Sequence, residues 1–271
     1  MFRLPLRTEE MAQISKISSA AITETKLDEM MEDLKKELFD VLLFVNNVKK
    51  ISLCGIDESS GKLTDRYSVE VLLSEDDNRK RQAFADYIQN IGNHVKESHN
   101  SLPTSVHVKK CMYTMKLIDT CGREETWLIV QQVGFEEAVD KSIVGAFRKQ
   151  KLGMLPRGGV ACLLESTISR EQLERKRKAY CFLPLSLETD LPVHINGHFA
   201  LDHEARRNLW RDVTGDYRTN WNNALLRDVI ASCYLTLLDG VRPFLHLPIA
   251  QDCAESPTET RSYCRSTTLR K

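Results

Sequence analysis

The chain has 271 residues, of which 42% are hydrophobic, so it can bury one large core or two modest ones. Lysine plus arginine equals aspartate plus glutamate at 38 each, which argues against attraction to nucleic acid or an anionic membrane by net charge. No apolar run approaches the roughly 20 residues of a membrane helix, and the first residues lack the organisation of a secretory signal.

The first 100 residues predict two helices separated by two strands. Thr25-x-x-Asp28 is typical of a helix start, and the apolar residues that follow it recur at helical spacing to about residue 45. We expect an amphipathic helix with one buried face, formed by Leu27, Met30, Met31, Leu34, Leu38, Val41, Leu42 and Val45. Strands are predicted at 48–56 and 67–74, and a second helix at 74–99.

The middle of the chain predicts an antiparallel strand pair at 106–118 and 125–133 around a polar turn. Apolar residues fill both alternating sets of the second strand, so we expect both of its faces to be buried. A third helix is predicted at 136–149, and further strands at 159–165 and 180–185. Between these strands, Ser169-x-x-Gln172 is a capping-box pattern that opens a short charged helix.

The segment 193–201 predicts a strand with one apolar face and one polar face, and two histidines lie on the polar face. At about 3.3 Å per residue, His194 and His198 are roughly 13 Å apart, too far for both to bind one zinc ion at about 2 Å. We therefore expect no metal here, and a polar face that is solvated or covered by a helix.

The last predicted element is a helix at 220–239, ended by Gly240. Trp221, Leu225, Val229, Cys233 and Leu237 form one apolar row, and Leu226, Ile230, Tyr234 and Leu238 form the adjacent row. So wide an apolar face predicts a largely buried helix. The composition turns polar after Pro248, and we expect a disordered tail at 249–271.

No pattern of catalytic residues stands out. The eight cysteines never form Cys-x-x-Cys and mostly have apolar neighbours, which is typical of free thiols in a reducing compartment and favours the cytoplasm. Nothing in the spacing ties Cys181 to His194 as nucleophile and base, so Cys181 is interpreted as a core thiol. Asp202 and His203 are expected to cap a helix at 206–210. We expect no enzyme activity and no cofactor.

Two basic stretches have alternative interpretations. Lys149, Lys151 and Arg157 flank a turn before Gly158-Gly159, where favourable basic residues at a helix end are the simpler interpretation. The run Arg175-Lys-Arg-Lys178 is short and has acidic neighbours, so a solvated helix face is favoured over binding of nucleic acid.

Five blocks of sequence between residues 2 and 228 are informative, both by their residues and by the order in which they follow one another. They are Phe2-Arg-Leu-Pro-Leu-Arg7, Leu42-Leu-Phe-Val-Asn-Asn-Val-Lys-Lys50, Leu152-Gly-Met-Leu-Pro-Arg-Gly-Gly-Val160, Leu191-Pro-Val-His-Ile-Asn-Gly-His198 and Asn220-Trp-Asn-Asn-Ala-Leu-Leu-Arg-Asp228. In these blocks the chain resembles the sacsin family, whose repeats each begin with an ATP-binding module like that of the ninety-kilodalton heat-shock chaperones. No Asp-x-Gly-x-Gly and no glycine-rich phosphate loop is present. The resemblance therefore implies a region downstream of that module.

The resemblance implies an α+β fold, with mixed or antiparallel sheets packed against helices, in two regions at 1–150 and 151–248. It implies a non-catalytic co-chaperone part that binds protein clients or the seventy-kilodalton heat-shock system in protein quality control. Middle domains in this ATPase class supply a cation to the terminal phosphate, so Lys149, Lys151 and Arg157 become phosphate-sensing candidates. Two alternatives stay open: a subunit that completes an ATPase supplied in trans, and an inactive structural remnant.

Overall fold

The computed structural model describes residues 6–56, 59–97, 107–136, 141–144, 154–168, 177–202, 208–211 and 216–245. Its helices are α1 (Glu9–Ile14), α2 (Glu24–Leu42), α3 (Glu75–Glu97), α4 (Tyr217–Ala224) and α5 (Ala231–Val241), with a π-helical segment (Leu225–Ile230) between the last two and a 3₁₀ turn (Arg242–Leu245) after them. Its strands are β1 (Lys50–Ile56), β2 (Leu63–Leu72), β3 (Lys109–Asp119), β4 (Glu124–Val133), β5 (Arg157–Ser166), β6 (Lys178–Cys181), β7 (Leu183–Glu188) and β8 (His194–Gly197).

The eight strands form one mixed sheet in the order β1-β2-β3-β4-β5-β8-β6-β7. All neighbouring strands are antiparallel except β6 and β8, which are parallel. Helices pack against this sheet, so the predicted α+β class is confirmed. The predicted hairpin is also confirmed, because β3 and β4 pair from Lys109↔Val133 to Ile118↔Glu124.

Two hydrophobic cores lie on opposite faces of the sheet and share its central strand, β4. Trp127 and Ile129 belong to the first core, under α2 and α3, whereas Leu128 and Val130 belong to the second core, under the C-terminal helical segment. Side chains alternate along a strand, so β4 is buried on both faces as expected. The boundary predicted at residue 150 falls between β4 and β5, which are hydrogen-bonded neighbours. Whether the regions 1–150 and 151–248 fold as separate domains stays a prediction.

Helix α2 is buried over a shorter length than its apolar pattern predicts. It begins at Glu24, because the Thr23 side chain accepts a hydrogen bond from the Lys26 backbone N–H and caps the helix. Its buried residues are confined to the second half, from Leu38 onward. In the first half, Met30 and Leu34 are 53% and 40% exposed, since no described element covers that flank.

The strand predicted at 180–185 is two strands joined by a tight turn at Phe182. Cys181 pairs with Leu183 across the turn, and Phe182 has the positive backbone angle φ 65°. The Asn196 side chain holds this turn by accepting a hydrogen bond from the Phe182 N–H at 2.9 Å. A side chain from another strand thus stabilises a conformation that phenylalanine rarely adopts.

Strand β8 is shorter than predicted and has no solvated face. All four of its residues are buried, including His194 and Asn196 on the polar side. The His194 ring lies 5.4 Å from the rings of both Trp127 and Tyr180. Both are members of the first core. The side that the sequence identifies as polar is therefore covered and not solvated.

The predicted C-terminal helix is present but is interrupted by the π segment and continues past Gly240. The row from Trp221 to Leu237 is buried as predicted. In the adjacent row Leu238 is 46% exposed. The Gln132 side chain donates a hydrogen bond to the Asp228 carbonyl oxygen at 3.3 Å. Hydrogen bonds in a π-helix join residues five apart instead of four. This change of pattern lets a backbone carbonyl of the segment accept a hydrogen bond from a side chain.

Two further expectations about helices are wrong. Residues 208–210 are not helical, and Leu209 forms an antiparallel bridge with Leu201 instead of lying in a capped helix. Lys178 belongs to β6, where its ammonium group pairs with Glu37 at 3.4 Å, so it does not lie on a solvated helix face.

Several other predictions lie outside the described residues: residues 1–5, Lys149, Lys151, His203, the short helix after Ser169 and the tail at 249–271. Of the helix predicted at 136–149, residues 136 and 141–144 are described: residues 141–144 are helical, whereas Glu136 lies in a bend, so the predicted start at 136 is wrong. Within the described part of the chain, no helix has the length and apolar character needed to cross a membrane.

Candidate functional site

An open groove lies beside β3, between the end of α5 on one face of the sheet and the first turn of α3 on the other. It encloses about 570 Å³. It is lined by Asp77, Lys80, Met112, Tyr113, Thr114, Leu128, Thr236, Asp239, Gly240, Pro243 and Phe244. These residues come from α3, β3, β4, α5 and the 3₁₀ turn, so the groove exists only in the folded chain.

The floor of the groove depends on a close approach of α5 to the sheet at Gly240. A Cβ atom at this position would lie 2.6 Å from the Met112 sulfur and 3.2 Å from the Leu128 Cδ2. Glycine therefore lets the helix backbone contact the side chains of β3 and β4. The helix does not end at Gly240 as predicted, because α5 continues to Val241.

The apolar walls of the groove are open to solvent. Met112 is 42% exposed and Phe244 is 48% exposed, and the neighbouring Leu245 is 58% exposed. A methionine side chain is unbranched and polarisable, so it adapts to apolar surfaces of different shapes. The groove can take up apolar side chains of another molecule without requiring one specific shape.

The polar rim is organised by the start of α3. The Ser74 hydroxyl accepts a hydrogen bond from the Asp77 N–H at 3.0 Å and donates one to the Asp77 carboxylate at 2.9 Å. The same carboxylate accepts a hydrogen bond from the Thr114 hydroxyl at 2.8 Å. Lys80 pairs with Asp76 at 2.6 Å, and this hydrogen bond lowers the pKa of the Asp76 carboxyl. These contacts fix the rim beside the apolar floor.

Sequence analysis missed this groove entirely. Its residues are scattered from position 77 to position 244, and no motif or spacing connects them. The one local signal was Gly240, whose role is to permit close packing and not to stop a helix.

Arg157 is the described member of the three phosphate-sensing candidates, and it begins strand β5 instead of lying in a loop. Its guanidinium group donates to the Gln131 side-chain oxygen at 3.1 Å and lies 5.3 Å from the centre of the Phe182 ring. Gln131 in turn donates to the Tyr113 hydroxyl at 2.8 Å. Burial lowers the pKa of Arg157 below its usual value. Arg157 thus lies beside the turn at Phe182, and it does not line the groove.

His194 and His198 each accept a hydrogen bond from a backbone N–H through their Nδ1 atoms. The donors are Lys178 at 3.1 Å and Leu155 at 3.0 Å. Burial, reinforced by nearby arginine charge, lowers the pKa of His194 to about 3 and that of His198 to about 4. Both rings are neutral at pH 7, and their Nδ1 atoms are committed to the backbone. Among the described residues, no group of three or more His, Cys, Asp or Glu side chains is placed to hold a metal ion.

Cys181 is half-buried and its sulfur lies 3.8 Å from the Phe199 carbonyl oxygen, to which the thiol donates. Burial raises the pKa of this thiol. The protonated form is therefore favoured, which agrees with the interpretation of Cys181 as a core thiol.

Comparison with known proteins gives one consistent family. The Sacsin domain family model matches residues 1–68. Human sacsin is 41% identical over 242 residues, which cover 88% of this chain and 5% of the human protein. The chain thus spans about 5% of the length of that relative. No solved structure matches the chain.

Proposed function

The chain is a sacsin-like protein, and from this premise we propose that it has a chaperone-related role as a non-catalytic module that binds other proteins. The proposed partners are protein clients in quality control or chaperones of the seventy-kilodalton heat-shock system. The proposed location is the cytoplasm. ATP hydrolysis is assigned to other modules, and neither nucleic acid nor membrane is a proposed partner.

The observation that carries this proposal is the open apolar groove beside α5. Phe244 and Met112 leave about half of their surface in water. Full burial of such a side chain contributes about 1.5 to 3 kcal/mol. A partner that covers both side chains therefore gains part of its binding free energy from them, enough for weak and reversible binding. A chaperone-related module needs affinity of that kind, because it must release what it binds.

The test is suppression of aggregation of chemically denatured luciferase by the purified chain without nucleotide. We expect the parent chain to reduce light scattering at a few equivalents, and the double variant Met112→Ser/Phe244→Ser to lose most of this effect. Both side chains are partly exposed, so the substitutions should leave the fold unchanged. Circular dichroism checks this.

The matched control is Leu191→Ser, which removes a 40% exposed leucine outside the groove. It should suppress aggregation as well as the parent chain does. Equal suppression by the groove variant and the parent, or no suppression by any of them, would contradict the proposal.

Arg157 favours a second candidate function, the completion of an ATPase supplied in trans. Among the described residues, no carboxylate pairs with its guanidinium group. A buried cation without a counterion is costly and attracts an anion such as a terminal phosphate. For Arg157 to reach a nucleotide, its hydrogen bond to Gln131 must break and the Phe182 ring must move away from it.

Mixing the chain with a separately purified ATP-binding module from a sacsin repeat tests this candidate. A rise in hydrolysis that disappears in Arg157→Gln supports it, and an unchanged rate rejects it. Failure in both the aggregation and the hydrolysis assay would leave the inactive structural remnant as the remaining interpretation.

A further inference from the structure

The first half of helix α2 presents an apolar ridge that no described element covers. Leu27, Met30 and Leu34 lie on one flank of the helix at spacings of three and four residues. Met30 and Leu34 are 53% and 40% exposed, and Leu27 is half-buried. The second half of the helix holds it to the sheet through Leu38 and its neighbours. The ridge, defined as Leu27, Met30 and Leu34, thus lies on a helix whose other half is anchored in the first core.

The ridge lies in an acidic stretch of a chain whose net charge is zero. Residues 24–37 contain six carboxylates and three ammonium groups, hence a net charge of −3, from Glu24, Asp28, Glu29, Glu32, Asp33, Glu37, Lys26, Lys35 and Lys36. Each of these lysines pairs with a carboxylate of the same helix: Lys26 with Glu29 at 2.9 Å, Lys35 with Glu32 at 2.5 Å and Lys36 with Asp33 at 2.9 Å. Such exposed pairs are screened and weak. The stretch therefore keeps its negative potential.

We propose that the α2 ridge is a docking surface for a basic amphipathic helix of a partner protein. The spacing of the ridge matches the spacing of side chains along a second helix, so apolar side chains of the two helices can interdigitate. Lysine or arginine on the flanks of the partner would meet the carboxylates beside the ridge. Complementary charge of this kind selects the partner and speeds association.

This surface is separate from the groove of the proposed function. None of the residues that line the groove belongs to α2. The α2 helix packs on the first core, whereas α5 packs on the second core, on the opposite face of the sheet. The two surfaces can therefore be tested independently, and loss of one need not disturb the other.

The experiment uses the full chain and, as probe, a labelled synthetic peptide of about 18 residues that forms a leucine and lysine amphipathic helix. Fluorescence anisotropy measures its dissociation constant. The double variant Met30→Ser/Leu34→Ser should bind about tenfold more weakly, because two apolar contacts are lost. The variant Glu24→Gln/Asp28→Asn keeps the ridge and should weaken binding severalfold, with a smaller dependence on salt.

Two controls establish that the peptide binds at the α2 ridge and through complementary charge. A peptide with glutamate in place of lysine should not bind, since like charges oppose it. The groove variant Phe244→Ser should bind the lysine peptide as the parent does, so failure of the client-binding proposal leaves this result unaffected. The inference is overturned if the parent does not bind the lysine peptide, or if the ridge variant binds it as tightly as the parent.

Discussion

At the scale of single residues, the protein contains a carboxyl group whose burial disfavours its ionised form. Asp40 on α2 is only 5% exposed, and burial raises the pKa of its carboxyl group to about 6. The cationic groups of Lys178, Arg123 and Arg177 lower this pKa in part, and Glu37 raises it further. Asp40 is thus a buried titratable group where α2 packs on the sheet, and its pKa lies close to neutral pH.

We predict that Asp40→Asn stabilises the protein at neutral pH. The pKa of Asp40 is higher in the fold than the ordinary 3.8, so the folded state binds the proton more tightly than the unfolded state does. The stability this provides is complete below about pH 4 and is lost as the pH rises through 6. A shift of this size corresponds to about 2 to 3 kcal/mol at pH 7.5. Urea unfolding at pH 7.5 and at pH 4.5 measures the difference.

The control for this prediction is Glu37→Gln. The Glu37 carboxylate pairs with Lys178, and its side chain is exposed. The effect of this substitution on the free energy of unfolding should be small at both pH values, because the Glu37 charge is the smallest of the influences on the pKa of Asp40. A destabilised Asp40→Asn variant at pH 7.5, or a stabilising effect that grows as the pH falls, would contradict the assignment.

At the scale of elements, the same residue type has opposite roles in a strand and in a helix. Gly158 in β5 lies under the π segment, and a Cβ atom there would be 2.9 Å from the Asn196 carbonyl oxygen and 3.1 Å from the Val229 Cγ1. An added Cβ at Gly92 in α3 would have no atom within 4 Å from the described residues outside its own stretch of helix. The first glycine is required by close packing. The second only lowers the helix propensity of α3.

We predict that Gly158→Ala destabilises the protein by about 1 to 3 kcal/mol, because backbone and branched side chains must move apart. Gly92→Ala should instead stabilise it by up to about 1 kcal/mol, as alanine favours a helix interior. Thermal unfolding followed by circular dichroism measures both changes. Equal effects of the two substitutions would show that β5 and the π segment are not in close contact.

The extent of an element differs from its prediction where contacts with residues far away in the sequence determine it. The periodicity of α2 is satisfied over nineteen residues, yet only its second half meets the sheet. Sequence periodicity identifies an apolar face, but it does not identify what covers that face. The turn at Phe182 escaped prediction because phenylalanine carries no turn signal, and the hydrogen bond that holds it comes from Asn196, fourteen residues away.

At the scale of the whole molecule, the two cores are coupled through shared strands. Strand β4 contributes alternate side chains to both cores, and β5 pairs with it along its length. Disruption of one core removes the support of the other. We therefore expect one cooperative unfolding transition for the described part of the chain, although two regions were predicted from sequence.

Two tryptophan variants test this expectation, since Trp127 lies in the first core and Trp221 in the second. Both variants carry Trp210→Phe, which removes the third tryptophan of the chain. Adding Trp221→Phe leaves Trp127 as the fluorophore, and adding Trp127→Phe leaves Trp221. Within each variant, the midpoint of urea unfolding by fluorescence should equal the midpoint by circular dichroism. Fluorescence that changes well before or after the circular dichroism signal in either variant would instead support separate domains at 1–150 and 151–248.

The amino-acid sequence by itself determined the α+β class, the β3 and β4 hairpin, the buried row of the C-terminal helix and the resemblance to sacsin. Each of these depends on residues close together in the chain, through periodicity, turn residues or short blocks. Only the tertiary structure decided the strand order, the cover over His194, the packing role of Gly240 and the existence of the groove. These features depend on contacts between residues far apart in the chain, and a local pattern carries no information about which distant surface will meet it.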